Sequence, residues 1–265
     1  MARSPKLAAP APQDPRVELV RLATDLDLTA LAANFPALLE KAEKESPSFT
    51  AFCHGLLATE AAARCERKKN RSLKRSRLGT VEGLDGFDWA ARPQLDPRVV
   101  RELLNLDFVK GARRRHILLL GKPGLGKTRV AKAIVHAACV DGLSTLCVLT
   151  SEMIEDLQAS HADGTFRRAL RRYVKPDVLL LDEWGYQTFD TKATNYVFRV
   201  VSERHGKGSI VLTANCGFTK WKSFFPSEVQ AAATVDRLID QATILRFTGK
   251  SFREPKEILG APLDE

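Results

Sequence analysis

Long apolar runs are missing from this 265-residue chain. No stretch approaches the roughly 18 residues a membrane-spanning helix needs, which excludes a helical span and argues against a membrane partner. Cysteine is scarce: Cys53, Cys65, Cys139, Cys147 and Cys216 form no C-x-x-C pair and, being five, cannot all be bridged. Reduced, mostly buried thiols are therefore expected instead of a disulfide framework. No His/Cys cluster has the spacing of a zinc site. Aromatics are sparse at 7%, and acids fall short of bases, 32 Asp and Glu against 41 Lys and Arg. The resulting net charge of +9, with a pI near 9.4, suits an anionic partner. Residues 1–15 are rich in Ala and Pro but have no apolar core, so they read as a flexible tail and not a signal peptide. The expected location is the cytoplasm.

What is present is a phosphate-binding loop in its proper setting. Gly121-Lys122-Pro123-Gly124-Leu125-Gly126-Lys127-Thr128 fits G-x-x-x-x-G-K-T and lies between an apolar run at 116–120 and a helix-like run at 129–140. Glycines let backbone N–H groups converge on phosphates, and a helix N-terminus, opening near Arg129, adds its dipole. Lys127 is expected to reach the β- and γ-phosphates of ATP, and Thr128 to offer its hydroxyl to Mg²⁺. The alternative is a turn that only joins strand to helix.

A second element follows at 178–183, an apolar run closing in Asp182-Glu183. It has the look of a parallel strand buried on both faces, with Asp182 at its carboxyl end placed to hold Mg²⁺. Glu183 could orient and deprotonate a water aimed at the γ-phosphate, which favours a hydrolase over a small-molecule kinase. The next strand closes in Thr213-Ala214-Asn215. If it neighbours the Asp182 strand, the Asn215 amide faces that water or the phosphate; the alternative is an asparagine that starts a turn.

Charge is unevenly spread. Arg64, Arg67, Lys68, Lys69, Arg71, Lys74, Arg75 and Arg77 stand against the single acid Glu66, a density that polyphosphate backbones neutralise; a solvated helix face is the alternative. Arg167, Arg168, Arg171 and Arg172 form a smaller group, with Arg168 and Arg172 four residues apart. The candidate DNA contacts are the first set together with Arg168 and Arg172 of the second, for which a surface helix is the alternative.

The expected organisation is a tail (1–15), a helical basic N-terminal domain (16–78), a linker (79–97), a nucleotide domain (98–253) and a C-terminal tail (254–265). Leu19, Leu22, Leu26, Leu31, Phe35, Leu38 and Leu39 recur near a 3.6 period, and Pro47 marks the break before a second helix. In the linker, the rings of Phe87 and Trp89 could cover the adenine base, the alternative being ordinary packing. Beyond it strands are expected at 116–120, 144–149, 178–182, 209–213 and 243–247. The intervening helices fall at 98–109, 127–140, 151–159, 165–173, 190–205 and 228–240. That alternation means an α/β, doubly wound parallel sheet whose ligand lies outside the strands' carboxyl ends.

Taken together, the chain resembles the IstB-type transposition helper ATPases of the DnaC-like branch of the AAA+ proteins. The resemblance rests on Leu118 to Gly121, Pro123, Gly124, Gly126 to Thr128, Leu180 to Glu183, Gly185-Tyr186 and Ser202-Glu203-Arg204. Thr213, Asn215, Trp221, Phe224-Phe225 and Asp236-Arg237-Leu238 extend it. It implies an ATPase acting as a homo-oligomer with shared ATP sites. Such proteins bend or remodel duplex DNA and present it to a DDE-type transposase of the same element, in a bacterial cytoplasm at the nucleoid. It also implies that Arg237 completes a neighbour's site, with Arg204 as second choice. Trp184 departs from the small aliphatic residue usual there, which alters packing or a DNA-facing contact, and the expected chain ends without a full helical lid. The rival readings are a DnaC-like helicase loader, and a nucleotide-locked assembly with negligible hydrolysis. Loaders carry their own N-terminal module, often zinc-bearing, whereas this N-terminal region is helical, basic and without zinc ligands.

Overall fold

A computed structural model of the chain describes residues 14–252, so the calls on residues 1–13 and 253–265 lie outside the described residues. The chain divides into two compact units between Lys68 and Lys69.

The first unit is helical. Asp14 opens α1 (Pro15–Asp25) by accepting the Arg16 N–H at 2.9 Å, and Pro15 fits the first turn, where its missing N–H costs nothing. Asp27, in the left-handed region at φ 56°, ends that run and separates it from α2 (Thr29–Glu45). This break was not apparent in the leucine period. α3 (Phe49–Arg75) follows after Ser46 at φ 48°. Ala23, Leu31 and Phe35 form a small core with Leu38, Leu39 and Leu56 packed against it. Glu60 on α3 is buried and accepts the N–H groups of Ala30 (2.9 Å) and Leu31 (3.0 Å) at the start of α2. Arg64 Nε (2.9 Å) and Arg67 Nη2 (2.8 Å) bind its other oxygen. Burial alone would raise this carboxyl, but the Leu31 N–H and the two guanidinium groups outweigh it and hold the pKa at about 2.

The second unit carries a five-stranded parallel sheet. After α4 (Pro97–Leu104) and α5 (Asp107–Lys110), β1 (Ile117–Gly121) leads into α6 (Lys127–Val140) and β2 (Thr145–Leu149). α7 (Thr150–Ala162) and α8 (Phe166–Val174) precede β3 (Val178–Trp184). α9 (Thr191–Arg204), β4 (Ser209–Ala214), a 3₁₀ segment (Phe218–Phe224), α10 (Glu228–Ile239) and β5 (Thr243–Phe247) complete it. The expected helix at 98–109 is in fact two, because Leu106 sits at φ 68°, and the 3₁₀ segment had no counterpart in the periodicity.

Strand order is β2-β3-β4-β1-β5, all parallel. Both faces are covered: Leu118, Leu120, Leu179 and Leu181 pack with α7 to α10, while Ile117, Leu119, Val178 and Leu180 pack with α4 to α6. Continuous apolar strands follow from that. The 79–97 segment joins the second of these cores through Phe87 and Leu95. At the free edge of β2, the Cys147 N–H donates to Ser76 O at 2.6 Å. Trp184 is fully buried among Phe189, Trp221 and Phe225, with ring centroids 5.5, 5.5 and 6.4 Å away, so its departure from a small aliphatic is a matter of packing.

Candidate functional site

The site forms where β1, β3 and β4 end. β1 closes at Gly121, where a Cβ would stand 2.3 Å from the carbonyl oxygen of Phe247 on β5; no side chain fits there. The loop then runs to Gly126, at φ 90°, which opens α6 without any side-chain cap. The first N–H groups of a 14-residue helix are thus left for an anion, and the loop fits a phosphate. Lys127 is buried with its Nζ folded back on Lys122 O at 2.7 Å.

Opposite the loop, Asp182 Oδ1 accepts the hydroxyls of Thr128, at 3.1 Å, and of Thr213, together with the Glu183 N–H at 3.3 Å. A hydroxyl beside a carboxylate, both oxygen donors, is a set suited to Mg²⁺. Glu183 has φ 57° and is exposed, lining both of the cavities that open here. A cavity of about 960 Å³, enough for a nucleoside triphosphate, is lined by residues 123–129, Glu183, Thr213, Asn215, Phe87 and Phe252. The structure therefore brings together Pro123, Gly124, Leu125, Gly126, Lys127, Thr128, Arg129, Asp182, Glu183 and Asn215. A smaller cavity of about 260 Å³ beyond Glu183, between the start of α7 and the 185–190 turn, has no such loop.

Of the two aromatic candidates only Phe87 lines the cavity, while Trp89 packs behind it with ring centroids 4.7 Å apart. Arg129 holds their segment in place by donating to Gly83 O (2.9 and 2.7 Å) and Asp85 O (2.9 Å). Three contributors escaped sequence reasoning. Phe252 donates its N–H to Gly124 O at 2.8 Å. Arg92, fully buried, donates to Leu125 O at 3.0 Å and stacks over the Phe252 ring at 4.0 Å. Burial lowers the Arg92 pKa. Nothing in the sequence marks these two. Thr213 is the third; its polar, β-branched side chain at the end of an apolar strand was a signal that could have been followed.

Arg237 does not join the cavity within one chain. It is half-buried on α10, donating to Ala233 O at 2.9 Å with its guanidinium 4.8 Å over Phe198, and among the described residues no acid pairs with it. Arg204 cannot serve as its substitute. It is fully buried, giving Nη1 to the carbonyls of Tyr173, Val174 and Pro176 and Nη2 to those of Asp177 and Ser209. A guanidinium committed to five carbonyls is a structural clamp.

The basic residues divide. Arg64 and Arg67 are held by Glu60. Lys68, Arg71, Lys74, Arg75 and Arg77 are exposed, and among the described residues no acid pairs with them, while Lys69 is half-buried. On α8, Arg172 pairs with Asp156 at 3.1 Å, and Arg167, Arg168 and Arg171 are exposed. No described helix is long and apolar enough to cross a membrane.

Comparison with known proteins places this geometry. A family model described as IstB-like ATP binding protein matches residues 21–259. A protein named for ATP binding in insertion sequence IS5376 of Geobacillus stearothermophilus is 34% identical over 228 residues, 86% of this chain and 90% of that one. Its counterpart in insertion sequence IS21 of Pseudomonas aeruginosa is 35% identical over 236 residues, covering 89% and 88%. Among solved structures, DnaI aligns at 21% identity and TM-score 0.52 over 71% of this chain and all of that one. A DNA replication initiation factor aligns at 17% identity and TM-score 0.51 over 62% and 49%. These likenesses show the fold, a parallel sheet of the α/β doubly wound class. Matched along most of its length, the chain belongs to the IstB-like ATP-binding protein family.

Proposed function

We propose that this chain is an ATP-hydrolysing helper of insertion-sequence transposition. In this reading it works as a homo-oligomer with shared ATP sites, binds and bends duplex DNA, and presents it to a DDE-type transposase of the same element. The observation that carries the reading is one cavity lined by the glycine loop, Thr128 and Glu183, with Asp182 accepting the Thr128 hydroxyl at its edge. The insertion-sequence names of the relatives favour transposition over helicase loading.

ATP is the substrate. The uncapped start of α6 takes its phosphates, and Lys127 leaves Lys122 O to meet the β- and γ-oxygens. Thr128 and Asp182 would hold Mg²⁺, whose charge offsets that of the phosphates when bound. Glu183 orients a water and accepts its proton as the water oxygen bonds to the γ-phosphorus and the β–γ bridging oxygen departs with ADP. Asn215 donates its amide toward the same terminal group. Phe87 and Phe252 cover the base, with Trp89 as support. Arg237 enters a neighbour's site, where an arginine can dominate the rate. Lys68, Lys69, Arg71, Lys74, Arg75, Arg77, Arg168 and Arg172 meet DNA backbone, Arg64 and Arg67 bracing the helix beside them; such a protein works at the bacterial nucleoid.

Glu183→Gln is expected to bind ATP normally and to hydrolyse it roughly 100-fold more slowly or worse in a single-turnover assay. Mixing it with Arg237→Ala protomers should recover part of the lost turnover. Normal hydrolysis by Glu183→Gln would remove the base, and no recovery at any mixing ratio would remove the shared arginine.

A further inference from the structure

Between the pairs Leu181–Leu212 and Trp184–Ala214, β3 has two residues, Asp182 and Glu183, where β4 has one, Thr213. That is a β-bulge, and bulges re-aim side chains. Here the bulged residue is Glu183, whose φ of 57° is uncommon outside glycine, asparagine and aspartate. A turn of that kind persists only if its surroundings impose it. In a regular ladder a β4 carbonyl would take up the Glu183 N–H. At the bulge the acceptors are side chains instead, the Thr213 hydroxyl at 3.1 Å and, farther off, Asp182 Oδ1 at 3.3 Å.

The same hydroxyl donates to Asp182 Oδ1, so one oxygen uses its proton on the first carboxylate and a lone pair on the peptide of the second. Thr213 is 2% exposed and stands opposite Leu119 on β1, in the middle of the sheet. A β-branched side chain in a packed strand has little rotamer freedom, so the hydroxyl is fixed by the strand itself.

We propose that Thr213 is the positioning residue for hydrolysis: by clasping both ends of the Asp182–Glu183 bulge, it turns the Glu183 carboxylate into the nucleotide cavity. This rests on Glu183 being the group that orients water. Thr213 lines the same cavity, but the role proposed for it is exerted through its two neighbours. Valine keeps its shape and removes the clasp, letting the bulge relax. A displacement near 1 Å at a catalytic group can cost about 100-fold in rate.

The experiment uses the full chain and compares single-turnover ATP hydrolysis with ATP affinity, read separately with a fluorescent analogue. Thr213→Val is expected to lower the hydrolysis rate on the order of 100-fold while ATP affinity stays within about threefold. Thr213→Ser should return to within a few-fold of the wild type. In a Glu183→Gln background Thr213→Val should add no further loss, since the residue it positions is already disabled. Thr213→Ala takes the place of the valine variant should valine not fold. Full activity of Thr213→Val, a parallel fall in affinity, failure of serine to restore the rate, or additive losses in the double variant would each overturn the proposal. Slow Glu183→Gln beside a fully active Thr213→Val leaves the water-orienting reading intact and removes Thr213 alone. A normal rate for Glu183→Gln removes both.

Discussion

Arg204 illustrates what decides whether a buried charge is chemistry or architecture. Burial pushes its pKa down to about 9, yet that still leaves it charged at neutral pH, and the charge is spread over five carbonyls from the end of α8, the 176–177 turn and β4. Arg204→Lys offers one ammonium where two Nη groups with four N–H bonds span five carbonyls, so unfolding free energy in urea should fall by about 2–4 kcal/mol. An arginine serving catalysis would give the opposite result, normal stability with lost turnover. Acid should reveal two further residues. His116, just before β1, is buried and accepts the Ile210 N–H at 3.1 Å; burial lowers its pKa from 6.5 to about 4. The unfolded chain therefore takes up this proton first, and stability of the second unit declines as pH drops from about 6.5 to 4, by up to about 3 kcal/mol. Glu60 is a depressed carboxylate: its contribution is complete above pH 4.5 and fades as pH falls toward 2. Unfolding midpoints at pH 7.5, 5 and 3 would separate the two stages, and Glu60→Gln should remove the lower one.

At the scale of elements, period and punctuation carried most of the fold. The four-residue apolar runs of β1 and β3 could only be strands covered on both sides, and α6 fell at 127–140 as the loop motif required. Asp182, Glu183 and the loop were legible because each type of residue is bound to a strand end or a helix start. Strand order was not legible, since nothing local tells β4 to lie between β3 and β1. Nor was the 3₁₀ segment, whose order comes from distant partners: Trp221 on Trp184, and Phe224 against Gly185, where a Cβ would meet the ring at 2.0 Å. Arg92 and Phe252 were hidden for the same reason, being contacts between segments 160 residues apart. Trp184 is the joint between the Glu183 turn and that segment. Trp184→Leu should cost about 3 kcal/mol through the cavity it leaves, read as a lower urea midpoint at unchanged slope.

For the whole molecule, the net charge of +9 says less than where partners are found for it. Arg64 and Arg67 lock α3 onto α2 through Glu60, whereas Arg71, Lys74, Arg75 and Arg77 have no acid beside them among the described residues. Replacing the latter four by glutamine should reduce the dependence of log affinity for duplex DNA on log salt by up to about 4, with melting temperature unchanged. Replacing Arg64 and Arg67 should do the reverse, lowering the melting temperature first. An unaltered slope in the fourfold variant would return that segment to being a solvated surface.

The hydrogen bond from Phe252 to Gly124 has a practical corollary. The backbone leaving β5 is tied to the very loop proposed to cradle the triphosphate, and Arg92 is wedged between them, so a pull on that end of the chain is a pull on the cradle. Fusing a reporter or clipping residues there interferes with the nucleotide's seat even when every strand stays in register.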